Sequence, residues 1–398
     1  MLSTQQFENC SNFSQELELK QLVQSNRVSI VYIHGTARSG STIAEIVLTQ
    51  LADLAIHQPF RGVLQKAGGR FRIAKMNFDA DIYNSACGLI VKQINQHLQN
   101  KQKIIVIIKE LAGFFHPYIW QRWLEIPDKF LFTIREPHIQ YMSWLSAMTD
   151  KVFQGNGKLQ ENIDFVTSKA RVTESSFLSA EWEGTTLSCN QAAWNALAED
   201  FNQVKKSVLN TDKKIAILDL VILRYNPEFA IKSIIAKLGF SLEKISQFNL
   251  NCLTESKQKI SDLRDKSRPM VRKANSSKTI NPLALGEAIN LNTFPFKSQE
   301  HIRQIIPLYL DLLYAPEQVY LPTLSELELN QNPGLIATHP FVAYAIAMLN
   351  FQRLKKPISS NQVSSWLKSV IRNKSNQAAA DLGSFNSSFA EINSYWNL

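Results

Sequence analysis

Val28 to Thr42 read VSIVYIHGTARSGST, an apolar run that leads into a short loop bounded by two glycines. Gly35 and Gly40 have the spacing of a phosphate-binding loop, whose backbone N–H groups wrap an anion at the start of a helix. In the common form of this loop a lysine follows the second glycine. Ser41 holds that position here, and Arg38 is the one cation within the loop. The stretch therefore predicts a strand, an anion-binding loop and a helix, without the usual lysine.

Further apolar runs predict the rest of a sheet. We expect strands at 28–34, 104–108, 130–134 and 215–218. Helical patterns separate these runs, one of them extending from Ile43 to Leu54, and this alternation is typical of an α/β fold with a central parallel sheet and helices on both sides, in three layers. Ligands of such folds bind beyond the carboxyl ends of the strands. Lys109, Glu110 and Arg135 follow two of the runs and are expected at that edge, beside the loop.

Composition changes along the chain suggest its domain organisation. Residues 1–26 are expected to form an N-terminal extension, and residues 27–325 the α/β domain. Residues 150–188, rich in Ser, Thr and Gly, predict a long insert of the kind that builds substrate walls. Residues 326–398 are rich in Asn, Ser and Gln, which predicts a small helical C-terminal appendage with a loosely ordered tail.

The overall composition, 45% hydrophobic and 19% charged over 398 residues, is typical of a globular protein with a large core. No stretch reaches the roughly 18 to 20 apolar residues of a membrane span. The first 26 residues lack the basic start and apolar block of a signal peptide, so we expect a cytoplasmic protein without a membrane span. The four cysteines are scattered, which predicts neither a disulfide framework nor a zinc site.

The net charge of +9 is concentrated between Lys257 and Lys278, where eight Lys and Arg residues face only Asp262 and Asp265. Such a stretch fits either a polyanionic or multi-phosphate ligand or a solvated basic face. It has no interleaved aromatic residues on which bases could stack, so no nucleic acid is expected.

A second candidate anion site follows the run Phe130 to Ile134. Arg135 comes at the predicted strand end, Pro137 suits the first position of a helix, and Ser143 lies about two turns into that helix. Arg135 and Ser143 can therefore contact one phosphate if the helix leans over the crevice.

The loop and this second element together resemble the sulfotransferases that use 3′-phosphoadenosine 5′-phosphosulfate, PAPS. In that family the pattern x-x-[K/R]-S-G-[S/T]-[S/T] holds the 5′-phosphosulfate, and an Arg at a strand end, with Pro two residues and Ser eight residues later, holds the 3′-phosphate. Residues 36–42, with Arg135, Pro137 and Ser143, match both patterns. The resemblance implies that the donor-binding residues include Gly35, Thr36, Ala37, Arg38, Ser39, Gly40, Ser41, Thr42, Arg135 and Ser143.

Fainter similarities extend this resemblance over roughly residues 27 to 310. Leu218-Asp219-Leu220 and the turn at Gly239 look like the family's acidic strand end and Leu-Gly turn. Arg272 and Lys273 resemble the basic stretch that closes over the donor, although Ala274 departs from the Arg-Lys-Gly form of many members.

The resemblance implies in-line sulfuryl transfer to a hydroxyl or amine of an unidentified small-molecule, carbohydrate or lipid acceptor. Negative charge then grows on the bridging oxygen of the leaving phosphate, where Arg38 is placed to stabilise it. The sulfuryl group carries less charge than a phosphoryl group, so no metal is expected. Lys109 is a candidate to contact the sulfuryl oxygens, Glu110 is the candidate general base, and His116 is a second candidate base.

Two other functions are consistent with the same residues. A P-loop kinase or NTPase would use Asp219, at the end of an apolar run, to hold Mg²⁺, but it gives Arg135 and Ser143 no role. A non-catalytic module of the same fold would bind an anionic partner through residues 257–278.

Overall fold

The computed structural model of the chain describes most of residues 13–135 and parts of the remainder. The described residues are 13–66, 80–113, 117–135, 137, 140–141, 180–209, 211–220, 223, 227–246, 248–249, 256, 260–262, 296–313 and 315–317.

The described residues form a six-stranded sheet in which every pair of neighbouring strands is parallel. Its strands are β1 (Val28–Gly35), β2 (Leu54–His57), β3 (Ile104–Leu111), β4 (Lys129–Ile134), β5 (Lys214–Asp219) and β6 (Ile260–Asp262). The strand order is β5-β4-β1-β3-β2-β6, so the loop-bearing strand β1 lies between β4 and β3. The predicted parallel α/β sheet is confirmed.

Helices connect and cover the strands. They are α1 (Ser14–Gln24), α2 (Ser41–Leu48), α3 (Pro59–Lys66), α4 (Ala80–Leu98), α5 (Pro117–Leu124), α6 (Ala180–Val208), α7 (Pro227–Lys237), α8 (Leu242–Ser246) and α9 (Phe296–Leu313). The helical pattern predicted from Ile43 to Leu54 is shorter in the structure, because α2 ends at Leu48, a 3₁₀ turn follows at Thr49–Leu51, and Leu54 begins β2.

The two sides of the sheet carry different cores. On one side, which we call the aliphatic face, the β1 residues Val31 and Ile33 pack in one cluster with residues of α2 and α7. The opposite side, the aromatic face, carries Tyr32, His34, Phe130 and Phe132 beneath aromatic rings of α3 to α6. The closest of these ring contacts are Phe60–Trp123 at 4.8 Å, His34–Trp120 at 4.9 Å and Phe132–Phe201 at 5.3 Å. Both faces are buried, as the apolar strands predict.

Helix α1 is part of this core although it lies within the predicted N-terminal extension. Leu19 is fully buried, and Arg122 of α5 holds the buried carboxylate of Glu16 through two hydrogen bonds of 2.7 and 3.1 Å. The same guanidinium lies 3.7 Å from the centre of the Phe13 ring. A bidentate arginine–carboxylate pair of this kind fixes α1 in position.

The chain divides into two compact units. The first comprises residues 1–135, 192–282 and 310–321 and contains the whole sheet, and the second comprises residues 136–191, 283–309 and 322–398. The predicted insert at 150–188 lies outside the described residues except for the first residues of α6, and the predicted appendage at 326–398 lies outside them entirely. Among the described residues, no helix has the length and apolar character needed to cross a membrane.

Candidate functional site

The loop after β1 is a tight turn that ends directly in a helix. Ser39 donates from both its amide (3.3 Å) and its hydroxyl (2.8 Å) to the Thr36 carbonyl, and α2 begins at Ser41. Gly40 precedes the helix with a φ of +89°, in the left-handed region that glycine adopts without strain. The predicted order of strand, loop and helix is therefore confirmed, and the unpaired N–H groups at the start of α2 follow the loop.

Close packing requires glycine at position 35, and the left-handed φ of +89° favours it at position 40. Gly35 pairs in register with Thr133 of β4, and a Cβ at Gly35 would lie 2.0 Å from the Thr133 hydroxyl. A Cβ at Gly40 would lie 2.6 Å from the Leu220 side chain. The Thr133 hydroxyl also lies 2.7 Å from the Ser39 hydroxyl, so β4 holds the loop in place.

Arg38 has a strained backbone. Its φ of +70° lies in the left-handed region, which costs a non-glycine residue on the order of 1 to 3 kcal/mol and is concentrated at functional sites. The Arg38 carbonyl accepts a hydrogen bond of 3.4 Å from the Arg135 guanidinium. Two half-buried arginines predicted to bind the donor are thus in contact at the end of β1.

Lys109 brings a further cation to the same helix end. Its side chain is 2% exposed, and its ammonium donates a 3.2 Å hydrogen bond to the Thr42 hydroxyl in the first turn of α2. Beside it in register on β2 lies His57, whose imidazole is hydrogen-bonded to Glu45 of α2. The ammonium that the loop sequence lacks at Ser41 is therefore supplied from the neighbouring strand.

Glu110 follows Lys109 and points to the opposite face. It pairs in register with His34 and is fully buried, and its carboxylate accepts hydrogen bonds from the backbone N–H groups of Leu111 (3.1 Å) and Arg61 (3.3 Å), the third residue of α3. Burial raises the pKa of Glu110 to about 7, against the lowering effect of these N–H donors and of the positive charges of Arg61 and Lys109. A pKa near neutrality suits a general base.

His34 and Asp200 form a pair at the same edge of the sheet. Neither residue was predicted from the sequence to have a role. The imidazole is fully buried on the aromatic face, and its Nε2 lies 2.7 Å from a carboxylate oxygen of Asp200 on α6. The ring stacks on Trp120 (4.9 Å) and Tyr32 (5.5 Å). The one sequence signal was the position of His34, next to the last residue of β1 and on the same face as Glu110.

The structure thus brings the loop residues 35–42, Lys109 and Arg135 together at one end of β1, with Glu110 on the other face of the same edge. Ser143, Arg272, Lys273 and His116 lie outside the described residues. Asp219, the magnesium ligand of the NTPase hypothesis, is buried at the end of β5, which β4 separates from β1. The residue after it, Leu220, nevertheless lies against Gly40 of the loop. No group of three or more potential metal-ligating residues is found within the described residues.

No protein-family model matches the chain, and no curated protein matches it.

Proposed function

We propose that this protein is a PAPS-dependent sulfotransferase that transfers a sulfuryl group to a hydroxyl or amine. The observation that carries the proposal is a set of three cations: Arg38 belongs to the loop, Arg135 contacts the loop, and Lys109 contacts the first turn of α2. A donor with phosphosulfate at one end and a 3′-phosphate at the other needs several separate cations. An NTPase loop concentrates its charge instead in one lysine and a metal ion.

In the proposed reaction the acceptor oxygen or nitrogen attacks sulfur in line with the bond to the leaving phosphate. The bond from the acceptor to sulfur forms, the bond from sulfur to the bridging oxygen breaks, and that oxygen takes the electron pair. Arg38 and the N–H groups at the start of α2 stabilise the growing negative charge, a kind of contact worth about 10² to 10³ in rate. Lys109 contacts the sulfuryl oxygens, and Arg135 holds the 3′-phosphate.

Glu110 takes the acceptor proton in this proposal. Its hydrogen bond to the Arg61 N–H, at 3.3 Å, is longer than the usual 2.9 to 3.0 Å, so an acceptor hydroxyl can replace this donor at little cost. The Leu111 N–H then keeps the carboxylate in position. The acceptor is a small molecule, a carbohydrate or a lipid.

Thermal unfolding with adenosine 3′,5′-bisphosphate, compared with Mg-ATP, tests the donor site. A ligand at a hundred times its dissociation constant stabilises by about 2.7 kcal/mol, so the bisphosphate without metal is expected to raise the melting temperature by several degrees. A preference for Mg-ATP would favour the kinase or NTPase hypothesis. No response to either nucleotide would favour the non-catalytic module.

Two substitutions refine the test. Arg38→Ala and Arg135→Ala are each expected to weaken bisphosphate stabilisation or lower sulfuryl transfer by about 10². The matched control is Arg27→Ala, an exposed arginine at the opposite end of β1. Sulfuryl transfer that survives both site substitutions would contradict the donor site, whereas an equal loss in the control would point to an effect of net charge.

A further inference from the structure

The aromatic face contains a buried polar cluster directly beneath the carboxyl end of β1. Its members are Tyr32 and His34 of β1, Glu110 of β3 and Asp200 of α6. The first three are fully buried, and the Asp200 side chain is 16% exposed. The cluster therefore contains three buried groups and one carboxylate that reaches solvent.

The pairing of His34 with Asp200 fixes which imidazole nitrogen carries the proton. Asp200 Oδ2 accepts from Nε2 at 2.7 Å, so in the neutral ring Nε2 is the N–H donor and Nδ1 has a free lone pair. Stacking on Trp120 and Tyr32 holds the ring plane. His34 consequently presents a proton acceptor inside the aromatic core.

That acceptor has no hydrogen-bond partner within the described residues, and neither does the hydroxyl of Tyr32. Burial raises the pKa of Tyr32, and the negative charges of Glu110 and Asp200 raise it further. His34 and Glu110 are register neighbours on adjacent strands with side chains on one face. One buried water joining Nδ1, the Tyr32 hydroxyl and the Glu110 carboxylate would satisfy the two unpartnered groups and add a third donor to Glu110, in the manner usual for buried waters.

We propose that His34, oriented by Asp200, is a positioning residue that receives the proton of Glu110 through one water molecule and releases it toward solvent at Asp200. The role in catalysis rests on the proposed function. The acceptor proton passes to Glu110, and a proton passes from Glu110 through the water to Nδ1. The resulting imidazolium gives its Nε2 proton to the Asp200 carboxylate, which exchanges it with solvent. The exchange consists of proton transfers alone, and no oxidant or reductant takes part.

Other charged groups near the cluster also affect these proton transfers. Arg61 of α3 and Lys109 of β3 act on Glu110 with positive charge, and both remain unchanged in the variants below. On the His34 side the charged neighbour is Asp200 of α6. A change in chemical shift or in rate that appears only when Asp200 or Glu110 is substituted can therefore be assigned to the cluster.

Nitrogen-15 NMR of the 398-residue chain, labelled at its seven histidines, tests the arrangement without any donor or acceptor. The His34→Asn variant assigns the His34 resonances. We expect the Nε2–H tautomer, and an Nδ1 resonance that moves as the Glu110 carboxyl titrates near pH 7 and stays in place over that range in Glu110→Gln. A protonated Nδ1 in the neutral ring, or an Nδ1 resonance that behaves identically in Glu110→Gln, would overturn the proposal.

Asp200→Asn tests the role of the pair, because the amide oxygen still accepts from Nε2 while the charge is lost. We expect sulfuryl transfer to fall about tenfold and the acidic limb of its pH profile to move, with the affinity for adenosine 3′,5′-bisphosphate unchanged. The control is Glu199→Gln, the exposed neighbour of Asp200 on α6, which is expected to change neither. An unaltered rate and pH profile in Asp200→Asn would overturn the relay. If the protein transfers no sulfuryl group at all, the proposed function fails while the NMR result still decides the arrangement.

Discussion

The two faces of the sheet share one carboxyl edge but carry opposite kinds of polar group. The aliphatic face ends in cations and hydroxyls around the loop, with Lys109 on Thr42 and Thr133 on Ser39. The aromatic face ends in an acid and an imidazole, Glu110 and His34, under buried rings. Because successive residues of a strand point to opposite faces, β3 sends Lys109 to one side and Glu110 to the other. The sheet thus keeps the cations apart from the acid and the imidazole, although both sets lie at the same edge.

This separation has an energetic reason. A lysine and a glutamate in direct contact would form an ion pair, and the glutamate would then be a weak base with a low pKa. Glu110 instead lies fully within the core, where desolvation outweighs the nearby cations and its pKa is about 7. The cation and the base therefore keep different properties although they are adjacent in sequence.

We expect the largest effect from Gly35→Ala, which disrupts the packing of the loop on the aliphatic face. The new methyl group would lie 2.0 Å from the Thr133 hydroxyl and 2.8 Å from the Thr133 carbonyl oxygen, and a strand backbone cannot move aside cheaply. We expect a loss of about 3 to 4 kcal/mol in the free energy of unfolding, together with loss of bisphosphate binding. Urea unfolding and thermal shift with the bisphosphate measure both effects.

Gly88→Ala is the matched control for that substitution. Its Cβ would also make a short contact, 2.9 Å, but with the end of the flexible Gln15 side chain. Gly88 lies within α4, where alanine is the better helix former. We expect a stability change of about 1 kcal/mol or less and normal nucleotide binding, and an equally large loss in both variants would show that the loop packing against β4 is not special.

The next largest effect is expected on the aromatic face, where Glu110 makes the free energy of unfolding depend on pH. The pKa of Glu110 is about 7 in the folded chain and 4.5 when solvated, so the folded state binds the extra proton between these values. The stability from this group is complete below pH 4.5, is lost as pH rises through 7, and is constant above. Glu110→Gln removes this dependence and is expected to stabilise the protein by up to about 3 kcal/mol above pH 7.

Unfolding in urea at pH 5, 7 and 8.5 measures this linkage. Glu199→Gln removes an exposed carboxylate instead and is expected to keep the wild-type pH dependence. A Glu110→Gln protein whose stability follows the wild-type curve at all three values would mean that Glu110 is not desolvated in the folded state.

Local patterns in the sequence predicted most of the sheet and the loop after β1. The apolar runs of β1, β3, β4 and β5 and the glycine spacing of the loop identified the sheet and the loop before α2. The two shortest strands, β2 with four residues and β6 with three, are too short to show a period, and Leu54 of β2 also fits the helical spacing before it. The opposite directions of Lys109 and Glu110 follow from strand alternation once β3 is known to extend past Ile108.

Contacts between distant parts of the chain escaped the sequence analysis. Thr133 fixes Ser39 from 94 residues away, and Asp200 holds His34 across 166 residues. Neither pair shares a motif, because only the packing of β4 and α6 on the sheet brings them together. The loop could therefore be predicted between β1 and α2, whereas its support from β4 and the His34–Asp200 pair required the structure.

The smallest effect is expected from Arg38→Gly compared with Arg38→Ala, which separates charge from backbone strain. Both variants remove the cation, so both are expected to lose transfer activity by about 10². Alanine keeps the cost of the left-handed φ of +70° and glycine does not, so the glycine variant is expected to be more stable than the alanine variant by about 1 kcal/mol or less. Asn26→Gly, at φ +56° on the exposed opposite end of β1, is the control, and its activity should be normal. If the two Arg38 variants unfold together, the loop relaxes when the side chain is removed, and the strain then originates in what the guanidinium contacts. If they differ as expected, the strain belongs to the turn itself, and the chain keeps a strained arginine there because the site needs its charge.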